Sequence, residues 1–64
     1  MYRQTKLRKG NTFTVYWLDQ DKPYRIGDQV VLKGETERWT VEEIYDVCLE
    51  KHQINRDWKV GGIE

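Results

Sequence analysis

Residues Arg38–Glu50, RWTVEEIYDVCLE, carry two incompatible periodicities, and the choice between them decides the fold. Val41, Ile44, Tyr45, Cys48 and Leu49 fall at the i, i+3, i+4, i+7, i+8 spacing of an amphipathic helix, and Thr40 with Glu43 has capping-box spacing. Read this way, a helix runs from Thr40 to Lys51 and the chain is an α+β miniature. The opposing reading starts from Trp39-Thr40-Val41, which is strongly strand-prone. Tyr45, Val47 and Leu49 then alternate after a break at Glu42-Glu43. A β-bulge at the paired glutamates would shift the apolar parity by one residue and bend the strand, as small barrels require.

Composition leans toward strands. Val, Ile, Thr and aromatic residues account for 23 of the 64 positions, and the chain has neither Ala nor Ser. A chain of this length allows one domain, and such a domain buries only about 60% of its unfolded surface. Aromatics therefore supply much of the core, since each covers about 150–250 Å² when buried. Trp17 and Trp39 are the expected core members.

Outward from the opening stretch, Thr5–Lys9 and Thr12–Leu18 flank Gly10-Asn11, a pair suited to the positive φ angles of a tight hairpin turn. Phe13, Val15 and Trp17 alternate with Thr12, Thr14 and Tyr16, which predicts that the first set joins Leu7 in the core. Asp19–Pro23 is a polar loop. Gly27-Asp28 is a turn leading into a short strand, Gln29–Lys33, whose polar tip Glu35–Arg38 returns to Trp39. Asn55–Trp58 reads as a 3₁₀-like turn placing Trp58 over one end of the barrel, and the Gly61-Gly62 end is expected to fray.

The run YRIGDQVVLKGETERWTVEEIY, residues 24–45, resembles the middle of small SH3-like barrels of the KOW and related kinds. In those proteins a Gly-Asp turn leads into a short strand, a polar tip and a strand opening on an aromatic. The resemblance decides for the bent strand and implies an all-β, SH3-like barrel of about five strands with a short C-terminal turn. KLRKGNTFTVYWL and NRDWKVGG are also similar to stretches of short uncharacterised proteins of tailed bacteriophages, which implies a phage origin and a host-cytoplasmic setting.

Several chemistries lack their residues. There is no serine nucleophile, and a thiol mechanism would need the single Cys48 to meet the single His52, which only a helix permits at that spacing. One Cys and one His are too few for a closed zinc site. No phosphate-cradling loop or dinucleotide fingerprint occurs. We therefore expect a non-enzyme without cofactor or metal. A lone cysteine also excludes an intramolecular disulfide and favours a reducing, cytoplasmic compartment. No apolar run approaches membrane-spanning length.

Charge is informative in its distribution. The first eleven residues carry Arg3, Lys6, Arg8 and Lys9 with no acid, whereas Glu35–Glu50 holds six acids against Arg38 alone. Such a layout reads as two solvated faces in mutual attraction. Three binding classes follow. A protein-binding module would dock on a host or virion protein through surface aromatics, with Tyr16, Tyr24, Tyr45 and Trp58 as candidates. A nucleic-acid binder would place Arg3, Lys6, Arg8 and Lys9 on phosphates, although from Thr12 onward the chain holds 7 basic against 11 acidic residues. A nucleotide-like ligand would need a homo-oligomer, because a barrel this small encloses little space. The first reading is the one the residues favour.

Overall fold

The computed structural model describes residues Met1–Glu64 and is all-β, a curled five-stranded sheet forming a half-barrel. Its strands are β1 (Tyr2–Lys9), β2 (Thr12–Asp19), β3 (Gln29–Val31), β4 (Arg38–Leu49) and β5 (Val60–Gly61), in the spatial order β3-β4-β1-β2-β5. The helix considered for Thr40–Lys51 is not formed. Those residues continue β4, and the only helical segment is a 3₁₀ turn at Lys51–Gln53.

The reason lies opposite β1. Lys6 pairs with Glu43 but Leu7 pairs with Val41, so Glu42 has no partner residue. This is the bulge expected at the paired glutamates. It keeps Val41 and Ile44 both directed at the core despite their odd spacing, because the inserted residue reverses the pleat once. A second register shift, between Thr5↔Ile44 and Arg3↔Cys48, adds a further irregularity that the alternation does not announce. Together the shifts let a 12-residue strand curl around the core.

The first hairpin closes through Gly10-Asn11, with Lys9 opposite Thr12. Gly10 has φ 59°, whereas Asn11 keeps a negative φ, the sign pattern of a type II′ turn. The core comprises Leu7, Leu18, Val30, Leu32, Trp39 and Val41, with Tyr16, Tyr24, Ile44 and Ile63 packed against it. The expected parity of β2 is thus reversed. Tyr16 and Leu18 face inward, while Phe13 and Val15 stay 51% and 40% exposed on the outer face. β2 is apolar on both sides, and pairing of Leu7 with Thr14 and of Thr5 with Tyr16 gives the inner side to the even residues.

Nor does the C-terminus fray. β5 runs parallel to β2 at Trp17 and Leu18, and Ile63 then bridges Leu32 beyond β3. Lys33 donates its N–H to the Gly62 carbonyl at 3.0 Å, and Glu64 donates to Val31 at 2.8 Å. The tail therefore joins the two edges of the sheet. An added Cβ at Gly61 would meet the Tyr16 ring at an ordinary 3.6 Å, whereas one at Gly62 would press on the Lys33 side chain at 3.1 Å.

Candidate functional site

The most conspicuous surface lies on the outer side of β1 and β2. Trp17, an odd residue of β2, points away from the barrel interior yet is only 6% exposed. Trp58 covers it. The two indoles stack with centroids 5.5 Å apart and planes inclined by 17°. The turn that delivers Trp58 is closed by its own N–H bonding Asn55 O at 2.9 Å, with the Asn55 side chain accepting from Asp57 N–H. Trp58 itself remains 45% exposed, so the outer face presents an indole already held against another. It thus lies on the sheet's face and not over an end of the barrel.

Phe13, Val15 and Val60 extend this apolar surface. Two shallow, open depressions flank Trp58. One, of about 380 Å³, is lined by Lys51, Ile54, Asn55, Arg56 and Val60. The other is lined by Gln4, Val15 and Trp17. Cations border the face: Lys6 on β1 sets its ammonium 4.7 Å from the centroid of the Phe13 ring.

The other candidate aromatics stand elsewhere. Tyr16 packs on the core side, donates its hydroxyl to Glu35 at 3.2 Å and lies under Lys59. Partial burial and then the Glu35 charge raise its pKa above the ordinary 10.0. Glu35 also accepts from the Trp39 indole N–H at 3.3 Å, fixing the tip between β3 and β4. Tyr24 is half-buried, within hydrogen-bond distance of Thr5 at 2.6 Å and accepting from Gln20. Tyr45 lies in β4 beside Glu43, and desolvation followed by that carboxylate raises its pKa. The structure therefore does not bring Tyr16, Tyr24, Tyr45 and Trp58 into one patch. Trp58 gathers instead with Trp17, which is buried as expected but on the outer side, and with Val15, which together with Phe13 is exposed where the sequence predicts core, because the two apolar faces of β2 look alike.

The basic residues are engaged within the chain. Arg8 pairs with Glu42 at 3.1 Å, Lys9 pairs with Glu37 and lies over Trp39, and Lys6 is committed to Phe13. Arg3 donates its Nε–H to Cys48 Sγ at 3.2 Å, a contact that raises the guanidinium pKa. The basic strand β1 thus lies against the acidic strand β4, and the charge asymmetry is compensated across their pairing. His52 sits exposed in the 3₁₀ turn, and no group of three or more His, Cys, Asp or Glu residues is arranged to hold a metal. No helix is long and apolar enough to cross a membrane.

Comparison with protein-family models, curated proteins and solved structures finds no match to this chain.

Proposed function

We propose that this chain is a non-enzymatic protein-binding module that docks through the outer face of β1 and β2. One observation carries the reading: Trp58 stacks on Trp17 while leaving almost half of its own surface to solvent. A stacked indole has little side-chain freedom left to lose, so burying it beneath a partner gains apolar contact at small entropic cost. Tryptophan is also among the residues that most often anchor interfaces. Phe13, Val15 and Val60 supply the surrounding apolar area, and Lys6, Lys51 and Arg56 supply a basic rim.

The resemblance of KLRKGNTFTVYWL and NRDWKVGG to short phage proteins supports a finer version, in which the partner is a host or virion protein and binding inhibits or recruits it in the host cytoplasm. The resemblance of residues 24–45 to KOW-type barrels supports the SH3-like class. Nucleic-acid binding is the weaker reading, because Arg8 and Lys9 face carboxylates and Lys6 faces an aromatic ring.

Affinity capture from a candidate host, using the wild-type chain and a folded Trp58→Ala variant, tests the proposal. The expected result is one protein retained stoichiometrically by the wild type and lost by the variant. Equal capture by both would remove the outer face from the mechanism. Binding to a polynucleotide that weakens steeply with salt and falls on neutralising Lys6 and Arg8 would transfer the function to the nucleic-acid class.

A further inference from the structure

The edge of β2 is incomplete. β5 covers Trp17 and Leu18, and Lys59 continues it opposite Tyr16 by accepting the Trp17 N–H, leaving Thr12–Val15 with β1 on one side and no strand on the other. Which backbone groups face the gap follows from the pairing. Trp17 donates its N–H to Lys59 O at 2.9 Å, away from β1, so the odd residues of β2 direct their amides outward. Phe13 and Val15 each offer an N–H and a carbonyl to the open side. Neither takes part in a turn or tail hydrogen bond. Their side chains are exposed on the outer face, with Val15 lining the depression beside Trp58, so the edge adjoins that face.

Charge selects what can add there. Lys59 reaches along the inner side of this edge, donating its ammonium to Thr14 Oγ1 at 3.0 Å. Lys6 stands over Phe13 on the outer side. A second copy pairing antiparallel through the same residues would set Phe13 against Val15 and Thr14 against Thr14. Each copy would then bring its own Lys59 to the symmetry axis. Lysine at an edge is a recognised obstacle to such self-pairing.

We infer that this edge accepts an extended segment of the partner protein in which acidic and apolar residues alternate, added antiparallel to Thr12–Val15. This deepens the protein-binding reading and rests on it. Residues opposite Phe13 and Val15 share their face, so they are apolar and lie against the Trp58 surface. Residues opposite Thr12 and Thr14 lie on the Lys59 side and are acidic. Main-chain bonds supply affinity, and the alternation supplies specificity.

The probe is acetyl-Val-Glu-Val-Glu-amide, titrated into the full chain while backbone amides are followed by NMR and hydrogen exchange. Expected are saturable shifts at Phe13 and Val15, with exchange of those amides slowed at least tenfold. N-methylation of both valines removes the donors facing β2 and is expected to weaken binding at least tenfold. The lysine analogue, acetyl-Val-Lys-Val-Lys-amide, is expected not to bind the wild type but to bind Lys59→Glu, whose own affinity for the acidic peptide falls. The outcomes also separate this inference from the reading beneath it. If Trp58→Ala abolishes peptide binding while N-methylation does not, face docking stands and edge pairing falls. If N-methylation abolishes it while Trp58→Ala does not, the edge stands and the indole face falls. No shift with either peptide, or amides already protected in a dimer of the free chain, overturns the inference.

Discussion

The hydroxyl oxygens of Thr5 and Tyr24 lie 2.6 Å apart, joining the most central strand to the loop between β2 and β3. Thr5 is the one buried polar residue, at 0% exposure. Its Oγ1 also reaches the Arg3 carbonyl at 3.3 Å, an acceptor only, so Thr5 donates there and Tyr24 donates to Thr5. Gln20 Nε2 completes the chain by donating to the Tyr24 oxygen at 3.0 Å. Every member is satisfied, which is the condition for a buried polar contact to stabilise.

Tyr24→Phe removes the donor to a buried hydroxyl. A net loss of about 1 kcal/mol is expected, read from the urea midpoint at unchanged slope. Adding Thr5→Val to that variant is expected to cost less than it does in the wild type, because the partner has already gone. Additive losses in the double-mutant cycle would show that the two hydroxyls do not cooperate.

Trp58→Ala uncovers Trp17. The stacked pair contributes about 0.5–1.5 kcal/mol beyond its buried area, so the variant is expected to lose about 1–2 kcal/mol and remain folded. Trp17 emission should shift to longer wavelength as water reaches the indole. Trp58→Phe should recover part of both effects. An unshifted spectrum with unchanged stability would mean that Trp58 does not rest on Trp17 in solution.

Legibility in the sequence divides along physical lines. The bend of β4 was readable locally as a break in alternation at Glu42-Glu43, but the helical spacing of Val41, Ile44, Tyr45, Cys48 and Leu49 competed with it, and only the likeness of residues 24–45 to small barrels decided between them. The Gly10-Asn11 turn was readable for a local reason. The inner face of β2 was not, since Phe13, Val15 and Trp17 are as apolar as Tyr16 and Leu18, and only their partners on β1 decide between them. Trp58 was legible as a surface candidate, but its seat on Trp17 depends on residues 41 positions apart and leaves no periodic trace. The tail had the same character: Gly61-Gly62 reads as slack chain, yet Ile63 finds Leu32 across the barrel.

The ion pairs and the core are expected to respond very differently. Arg8–Glu42 and Lys9–Glu37 are both solvent-exposed. Glu42→Gln and Glu37→Gln should each shift stability by less than about 1 kcal/mol, and molar salt should change little more. Leu7→Ala, at the centre of the sheet with no exposed surface, should cost about 2–5 kcal/mol. That matches the about 3–5 kcal/mol a core this small supplies, so circular dichroism at 25 °C should find the variant largely unfolded.

Alkaline pH probes the Tyr16–Glu35 contact. The folded chain raises the Tyr16 pKa above its ordinary 10.0, chiefly by partial burial and further through the Glu35 carboxylate. The folded state therefore holds this proton more tightly than the unfolded state. Its contribution is fully present below the unfolded pKa and is lost as pH rises through the higher folded value. Tyr45 is shifted in the same direction beside Glu43, and lysines also titrate in this range, so total stability alone does not isolate one group. The difference between the wild type and Tyr16→Phe does, because the remaining groups are common to both. Denaturant midpoints should show the wild type losing stability relative to Tyr16→Phe only above about pH 10, and tyrosinate absorbance should lack one of the components that titrate above the ordinary value in that variant. Glu35→Gln removes the carboxylate and leaves the burial, so it is expected to bring the Tyr16 titration partway back toward the ordinary value. A Tyr16 titration unmoved by Glu35→Gln would show that burial alone holds the proton and that the hydroxyl does not face Glu35.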